Sequence, residues 1–304
     1  MNRKIEYREY PKGNREHKST LFCKAFEEKK HLLELYNSVN DSDYQNPEDL
    51  EVNTLEDVVY ISMKNDKSFL IDCNMNLYEH QSTYNPNMPL RGLLYFGQLY
   101  HKYIKTRRLN IYSSKLQKIP VPHYVVFYNG VQDEADEKIL LLSDAFQKDD
   151  EQKYVPGCLE CEVRMLNINY GHNKELMEKC RKLEEYAIFV ARLREYAKKY
   201  PNRLDLAITK AMDDCIAEGI LKDFLTKRKS EVLEMVLYSF DKELYENDLK
   251  QTAYEDGEKN GERKKLISLV QKKLAKGNSV EEIADALEEN VETIQDIITE
   301  LESV

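Results

Sequence analysis

The sequence predicts an α/β core followed by an all-helical C-terminal region. Up to about residue 172, short apolar runs rich in β-formers alternate with segments whose apolar residues recur at helical spacing. After Asn173, apolar residues recur only at helical spacing. We therefore expect a mixed-sheet core over residues 1–172, a helical extension packed on the core over 173–250, and a linker with a small helical unit over 251–304.

Turn residues and apolar periodicity divide the core into elements. An apolar face that begins after Ser19 indicates a first helix, and Asn46-Pro47 marks the loop that follows it. Pro86 and Pro89 mark a turn into the next helix. The predicted elements, in order, are a helix over residues 20–37, strands over 58–63, 68–71 and 76–81, a helix over 90–104, and strands over 123–128 and 159–168.

The second and third predicted strands form a hairpin that carries carboxylates. Residues 72–74 supply the turn between the two strands. Because the start of one antiparallel strand lies beside the end of the next, we expect Asp66 and Glu79 to converge at one end of the sheet. Alternation along the strand places Gln81 on the face of Glu79 and His80 on the opposite face.

Asp66, Glu79 and Gln81 together suit a hard divalent cation. Mg²⁺ prefers one or two carboxylates and keeps coordination positions open for water and for phosphate oxygens. Such a group is suited to the hydrolysis of phosphodiester bonds. The alternative is that a turn Asp and an edge-strand Glu are simply solvated, and the spacing alone leaves this alternative open.

Six short segments follow one another along the chain: LLELYN at 32–37, KND at 64–66, YEHQST at 78–83, NMPLR at 87–91, VVFYNG at 125–130 and LNINYGHN at 166–173. In this order they resemble the PD-(D/E)XK nuclease family transposases, also described as recombination-promoting nucleases. The resemblance extends roughly over residues 15–245.

This resemblance implies a restriction-endonuclease-like fold, in which a helix, three strands, a helix and a strand follow one another. It also implies a metal-dependent DNA endonuclease linked to recombination or transposition. Asp66 stands at the Asp of the "PD" element and Glu79 at the acidic residue of "(D/E)XK". These two would hold Mg²⁺ or another divalent cation, the main-chain carbonyl of His80 would add a ligand, and Gln81 would position water or phosphate.

The chain departs from the generic motif at two positions. Asn65 replaces the Pro, and Gln81 replaces the Lys that stabilises negative charge on the phosphate. The family itself includes this Glu-His-Gln variant, so the replacement is compatible with an active enzyme. The second interpretation is a catalytically idle DNA-binding or protein-interaction module that keeps the nuclease fold.

A basic segment follows the acidic motif in a chain whose net charge is −10. Residues 91–118 contain seven basic residues and no acidic one, with aromatic residues between them. The overall charge argues against non-specific coating of nucleic acid, whereas a local cluster can contact phosphates. A solvated helix face explains the same charges equally well. The residues expected to contact DNA are Arg91, Lys102, Lys105, Arg107 and Arg108.

Composition indicates a globular cytoplasmic protein. Hydrophobic residues make up 41% and charged residues 33% of the 304 residues. No apolar run approaches the roughly 20 residues that span a bilayer, and residues 1–13 lack the apolar core of a signal peptide. We therefore expect the six cysteines to be thiols. Cys158 and Cys161 lack the second pair that a zinc site needs, so two ordinary thiols are favoured there.

Three short helices are predicted at the end of the chain. Ser279 to Glu282 forms a capping box before an apolar run, residues 266–275 precede it, and a last helix contains Val291 to Leu301. The arrangement resembles the helix-turn-helix units that bind DNA. The acidic side chains of the last helix would repel phosphate, so contact between protein copies, giving a homo-oligomer, is favoured over DNA reading.

Overall fold

The structure, a computed structural model, describes residues 21–53, 67–147, 157–201, 203–238, 261, 263 and 265–302. The chain divides into two compact units, Met1–Ser239 and Phe240–Val304. Three features predicted above lie outside the described residues, namely the strand over 58–63, Asp66 and the linker segment 251–260.

The described strands of the first unit form one mixed six-stranded sheet, which confirms the predicted α/β class. The strands are β1 Glu51–Asn53, β2 Lys67–Ile71, β3 Asn74–Gln81, β4 Val121–Tyr128, β5 Glu137–Leu141 and β6 Glu162–Asn167. Their spatial order is β1-β2-β3-β4-β6-β5. The first three strands are antiparallel, β3, β4 and β6 run parallel, and β5 pairs antiparallel with β6.

The hairpin predicted around residues 72–74 is present. β2 and β3 are antiparallel, and Lys67 pairs with Tyr78 at the open end of their ladder. Asp72 has a φ of 50° in the turn, a left-handed conformation that Asp tolerates better than most residues. Phe69 and Leu77 are completely buried, so the hairpin is held by apolar packing on both faces.

The helix that follows the hairpin determines where the next strand lies. This helix, α3 (Met88–Thr106), is two residues longer at each end than the predicted span of 90–104. Pro89 lies in the first turn, where its missing N–H costs nothing. The helix buries Tyr95, Phe96 and Leu99, and after it β4 runs parallel to β3. The carboxyl ends of β3 and β4 therefore meet at one edge of the sheet.

Two helical layers cover the sheet. On one face, side chains of α3 pack with Leu77, Tyr124 and Val126. On the other face, Phe22 contacts Phe127, and Tyr36 contacts Phe69. Phe22 belongs to α1 (Leu21–Ala25) and Tyr36 to α2 (Lys29–Asn40), where a single helix over 20–37 was predicted. The helix is interrupted because Glu28 has an extended backbone, with a ψ of 132°.

The region after β6 is helical, as predicted. Its helices are α4 (Lys174–Lys179), α5 (Arg181–Lys199), α6 (Leu204–Glu218), α7 (Lys222–Lys227) and the helical residues 229–238. Gly219 ends α6 with a φ of 83°, and this confirms the predicted glycine cap. Among the described helices, none combines the length and the apolar character needed to cross a bilayer.

Two edge strands, β1 and β5, were absent from the sequence prediction. β1 has only three residues, and β5 has exposed residues at Glu137 and Ile139 and one buried residue, Leu140, with no regular alternation. The predicted strand over 159–168 begins later, at Glu162. A strand of three residues and a strand without regular alternation give no clear period of two, so periodicity identifies them poorly.

The second unit contains helical residues 265–274, Val280–Leu287 and Val291–Glu302. The predicted capping box is present, because Ser279 Oγ accepts from Glu282 N and the Glu282 side chain accepts from Ser279 N. Its core consists of Val270, Ile283, Ala284, Ile294 and Ile297. Each short helix therefore gains most of its stability from this shared apolar cluster.

An added methyl group should change the free energy of unfolding in opposite directions at two glycines of α3. At Gly92, a Cβ atom would lie 2.6 Å from ring atoms of the buried Tyr124, whereas at Gly97 it would meet no atom within 4 Å. We expect Gly92→Ala to lower the free energy of unfolding by about 1–3 kcal/mol. Gly97→Ala should raise it by about 0.5–1 kcal/mol, because alanine favours the helix. Urea unfolding followed by circular dichroism measures both, and equal effects would contradict the packing of α3 on Tyr124.

Candidate functional site

Polar residues collect at the edge of the sheet where three parallel strands end. Gln81 pairs with Tyr128, and Tyr128 pairs with Asn167, so β3, β4 and β6 end side by side. Glu79, Asn129 and Asn167 are buried at this edge. The carboxyl ends of parallel strands are the usual ligand-binding edge of α/β proteins.

Glu79 is the central residue of this edge. Its side chain is 1% exposed, and both carboxylate oxygens accept hydrogen bonds. Arg91 Nη2 and Gln81 Nε2 donate to Oε1, the latter over 2.5 Å, and the Tyr124 hydroxyl donates to Oε2. An ion pair, an amide and a phenol therefore replace the water that burial removes.

Burial determines the direction of the pKa shift at Glu79. Removal from water raises the pKa of Glu79 above its usual range, and the charge of Arg91 and the hydrogen bonds from Tyr124 and Gln81 oppose that rise. The charged carboxylate is thus more difficult to maintain here than on the surface. Arg91 is the principal group that stabilises it.

Arg91 is held in place by its own helix. Its Nη2 and Nε atoms donate to the Tyr95 hydroxyl over 2.8 and 3.2 Å, and the guanidinium carbon lies 5.6 Å from the centre of that ring. Tyr95 is one helical turn further along α3 and is fully buried. The guanidinium is therefore oriented before any ligand arrives, which lowers the entropic cost of binding an anion.

His80 lies on the opposite face of the sheet, as strand alternation predicted. Its ring stacks on Phe22 with 5.1 Å between centroids, and Nε2 lies 3.2 Å from the Tyr186 hydroxyl. Burial lowers the pKa of His80 to about 4. The imidazole is therefore neutral at pH 7 and does not contact Glu79.

Of the carboxylates that the structure describes, Glu79 is the one buried at this edge. Within the described ranges, no group of three or more His, Cys, Asp or Glu side chains could hold a metal ion. Glu79 alone does not make a site for Mg²⁺, which requires further oxygen ligands. Asp66, the second predicted ligand, lies outside the described residues. Cys158 and Cys161 are free thiols.

Of the five basic residues predicted to contact DNA, the structure brings Arg91 alone beside Glu79. Lys102, Lys105, Arg107 and Arg108 lie at or just beyond the other end of α3. Almost four helical turns, about 21 Å along the axis, separate Lys105 from Arg91. Arg107 pairs with Glu51 over 2.8 Å. These four basic residues follow Glu79 closely in sequence but lie far from it in space.

A second polar network adjoins the site, and the sequence analysis missed its role. Arg194 on α5 donates to Asn169 Oδ1 over 2.7 Å and to the carbonyl of Asn129. Asn169 donates to the carbonyl of Gly130 over 3.0 Å. The asparagines stand within the segments 125–130 and 166–173 that carried the family resemblance. The network ties together the chain segments that follow β4 and β6.

Tyr124 is the other residue of the site that sequence reasoning missed. It lies on β4, opposite Leu77 in the parallel ladder, and its ring fills the space left by Gly92. A tyrosine within an apolar strand gives the same pattern as a core residue. Its contact with Glu79 depends on the alignment of two strands that are 45 residues apart in sequence.

Comparisons with protein-family models, with curated proteins and with solved structures found no match to this chain at the significance threshold applied.

The packing of His80 predicts a pH dependence of stability. Unfolded His80 takes up a proton near pH 6.5, whereas the folded imidazole does so only near pH 4. Between these values the unfolded chain binds the extra proton, so the contribution of His80 is complete above pH 6.5 and is lost as the pH falls towards 4. We expect a loss of roughly 3 kcal/mol from this residue.

The control for this effect is His80→Gln, which cannot take up a proton. Urea unfolding of both proteins at pH 7 and pH 4.5, followed by far-ultraviolet circular dichroism, measures the difference. Wild type should lose more unfolding free energy than the variant. Equal losses would show that His80 is not held neutral by the fold.

Proposed function

We propose that this protein is a metal-dependent DNA endonuclease of the PD-(D/E)XK class, linked to recombination or transposition. The observation that carries the proposal is the buried Glu79, held beside Arg91 and Gln81 at the carboxyl edge of the sheet. Burying a carboxylate lowers the stability of the folded state, whereas a carboxylate on the surface stays solvated at no such cost. Its presence at a ligand-binding edge favours a role in chemistry.

The order of the described elements supports the proposal. Helix α2 precedes three antiparallel strands, β1 to β3, and α3 then leads to β4, which is parallel to β3. A restriction-endonuclease-like core requires this order of helix, three strands, helix and strand. The acidic residue of the motif belongs on the third strand, where Glu79 lies.

The register of the hairpin supports the proposal that a second carboxylate, Asp66, stands beside Glu79. In an antiparallel ladder, one step back along β2 corresponds to one step forward along β3. The described part of the β2–β3 ladder ends where Lys67 pairs with Tyr78, the residue before Glu79. Directly opposed residues share a face of the sheet. That Asp66 stands beside Glu79 is accordingly part of the proposal, and it makes Asp66 the first residue to test.

The proposed metal ligands are the carboxylates of Asp66 and Glu79 and the main-chain carbonyl of His80. A divalent cation bound there would polarise a phosphate oxygen and lower the pKa of a bound water. The part played by the described side chains is electrostatic. Arg91 supplies a guanidinium, which binds phosphate oxygens well, at the site where Gln81 replaces the lysine of the generic motif.

The test is cleavage of supercoiled DNA with and without Mg²⁺, using Asp66→Asn and Glu79→Gln variants. Each substitution keeps the shape of the side chain and removes its charge. We expect each variant to lose at least 100-fold in the cleavage rate, on the order of the loss of one electrostatic group. Asp205→Asn on α6, where Asp205 pairs with the exposed Arg203, is the matched control. A Glu79→Gln variant that cleaves at the wild-type rate contradicts the assignment.

A second candidate function is a catalytically idle module that binds DNA or protein. It is favoured by the arrangement of Glu79, whose two oxygens already accept three hydrogen bonds, and by the neutral Gln81 in place of lysine. The same experiment distinguishes the two functions. Binding of DNA with no cleavage at any Mg²⁺ concentration would favour the idle module.

A further inference from the structure

The loop that follows α3 is both basic and apolar at its surface. Tyr112 is 93% exposed, Leu116 is 84% exposed and Ile111 is 58% exposed. Folded monomers rarely leave neighbouring apolar side chains in solvent, and such patches commonly mark a binding surface. We define residues 107–119 as the exposed loop.

Local hydrogen bonds hold the exposed loop in shape. Asn110 Oδ1 accepts from the Tyr112 main chain over 3.0 Å, and Ser113 Oγ accepts from the Lys115 main chain over 3.1 Å. Leu109 N donates to the Ile104 carbonyl over 3.0 Å and ties the loop to the end of α3. These bonds present Tyr112 and Leu116 to solvent in a preformed arrangement, which lowers the entropic cost of binding.

A groove of about 490 Å³ lies along the exposed loop and is open to solvent. Apolar side chains form most of its lining, and Lys115 also contributes. A ligand that combines a flat ring with a negative charge suits such a lining better than a fully polar ligand does. The apolar lining residues are Ile104, Leu109, Ile111, Leu116 and Ile119.

The charges around the groove determine the class of partner. Lys102, Lys105, Arg108, Lys115 and Lys118 are exposed, and residues 91–118 contain no acidic residue. The acidic residues Asp49, Glu51 and Asp72 of other segments lie on the side of Arg107 and Lys118. Lysine is depleted at protein–protein interfaces and enriched where proteins bind nucleic acid. Exposed aromatic rings among cations are typical of sites that bind unpaired bases, since every base offers a face for stacking.

We propose that the exposed loop binds unpaired nucleotides of DNA, with Tyr112 stacked on a base and the neighbouring lysines on phosphates. This inference rests on the proposed function, and it specifies the kind of DNA on which the proposed nuclease acts. About 24 Å along α3 separates Arg91 from the first residue of the loop, which corresponds to about seven base pairs of duplex at 3.4 Å each. The substrate would thus be a duplex with an unpaired segment about seven base pairs from the cleaved bond.

Binding is measured by fluorescence anisotropy of the full chain, in EDTA, with two labelled oligonucleotides. One is a perfect duplex, and the other is the same duplex with a central run of unpaired thymidines. We expect tighter binding to the unpaired substrate by about tenfold, the contribution of one stacked base. Tyr112→Ala should abolish this preference and leave duplex binding unchanged, whereas Tyr112→Phe should retain it.

Two controls make the result specific. Tyr238→Ala replaces a tyrosine that is 54% exposed on the helical residues 229–238, and it should change neither affinity. Lys115→Ala with Lys118→Ala should weaken binding to both oligonucleotides and flatten the dependence of affinity on salt. Equal affinities of wild type for the two oligonucleotides would overturn the inference.

Anionic lipid is the main competing partner for a basic and apolar loop. Vesicles containing phosphatidylserine form the third arm of the experiment. Vesicle binding that Tyr112→Ala abolishes, together with unchanged DNA binding, would overturn the inference in favour of a membrane surface. Because binding is measured without metal, it is independent of the cleavage assay. A preference for unpaired DNA in EDTA, together with no cleavage of supercoiled DNA at any Mg²⁺ concentration, would refute the proposed nuclease and leave this inference standing.

Discussion

The burial of one carboxylate, Glu79, is the constraint on which the candidate site depends. A buried carboxylate without partners would cost several kcal/mol. Three donors from three elements compensate it, namely Arg91 from α3, Gln81 from β3 and Tyr124 from β4. The same contacts fix these elements relative to one another. A charge that is costly to bury thus organises this edge of the sheet.

The topology of the sheet explains why these donors meet. Because α3 connects two parallel strands, it begins at the carboxyl edge of β3, where Arg91 in its first turns lies above Glu79. The last turn of α3 lies at the opposite edge of the sheet, and so does the basic surface that follows it. Because side chains alternate between the two faces of β3, Glu79 faces α3 while His80 faces the aromatic layer around Phe22.

Features set by local sequence were predicted well. The hairpin around residues 72–74, the cap at Gly219 and the capping box at Ser279 are confirmed because each depends on a few neighbouring residues. The contact of Glu79 with Arg91 spans twelve residues and that with Tyr124 spans 45. Such contacts depend on how α3 and β4 pack, which periodicity does not specify. That the basic residues on and after α3 contact DNA stays a prediction.

The most direct test of this account is the coupling between Glu79 and Arg91. A double-mutant cycle with Glu79→Gln, Arg91→Met and the combined variant, measured as free energies of unfolding in urea at pH 7, isolates this pair. The account predicts a coupling energy of about 2–3 kcal/mol, because removal of either partner leaves the other charge or its hydrogen bonds uncompensated. Additivity of the two substitutions within about 0.5 kcal/mol would contradict the claim that this ion pair organises the site.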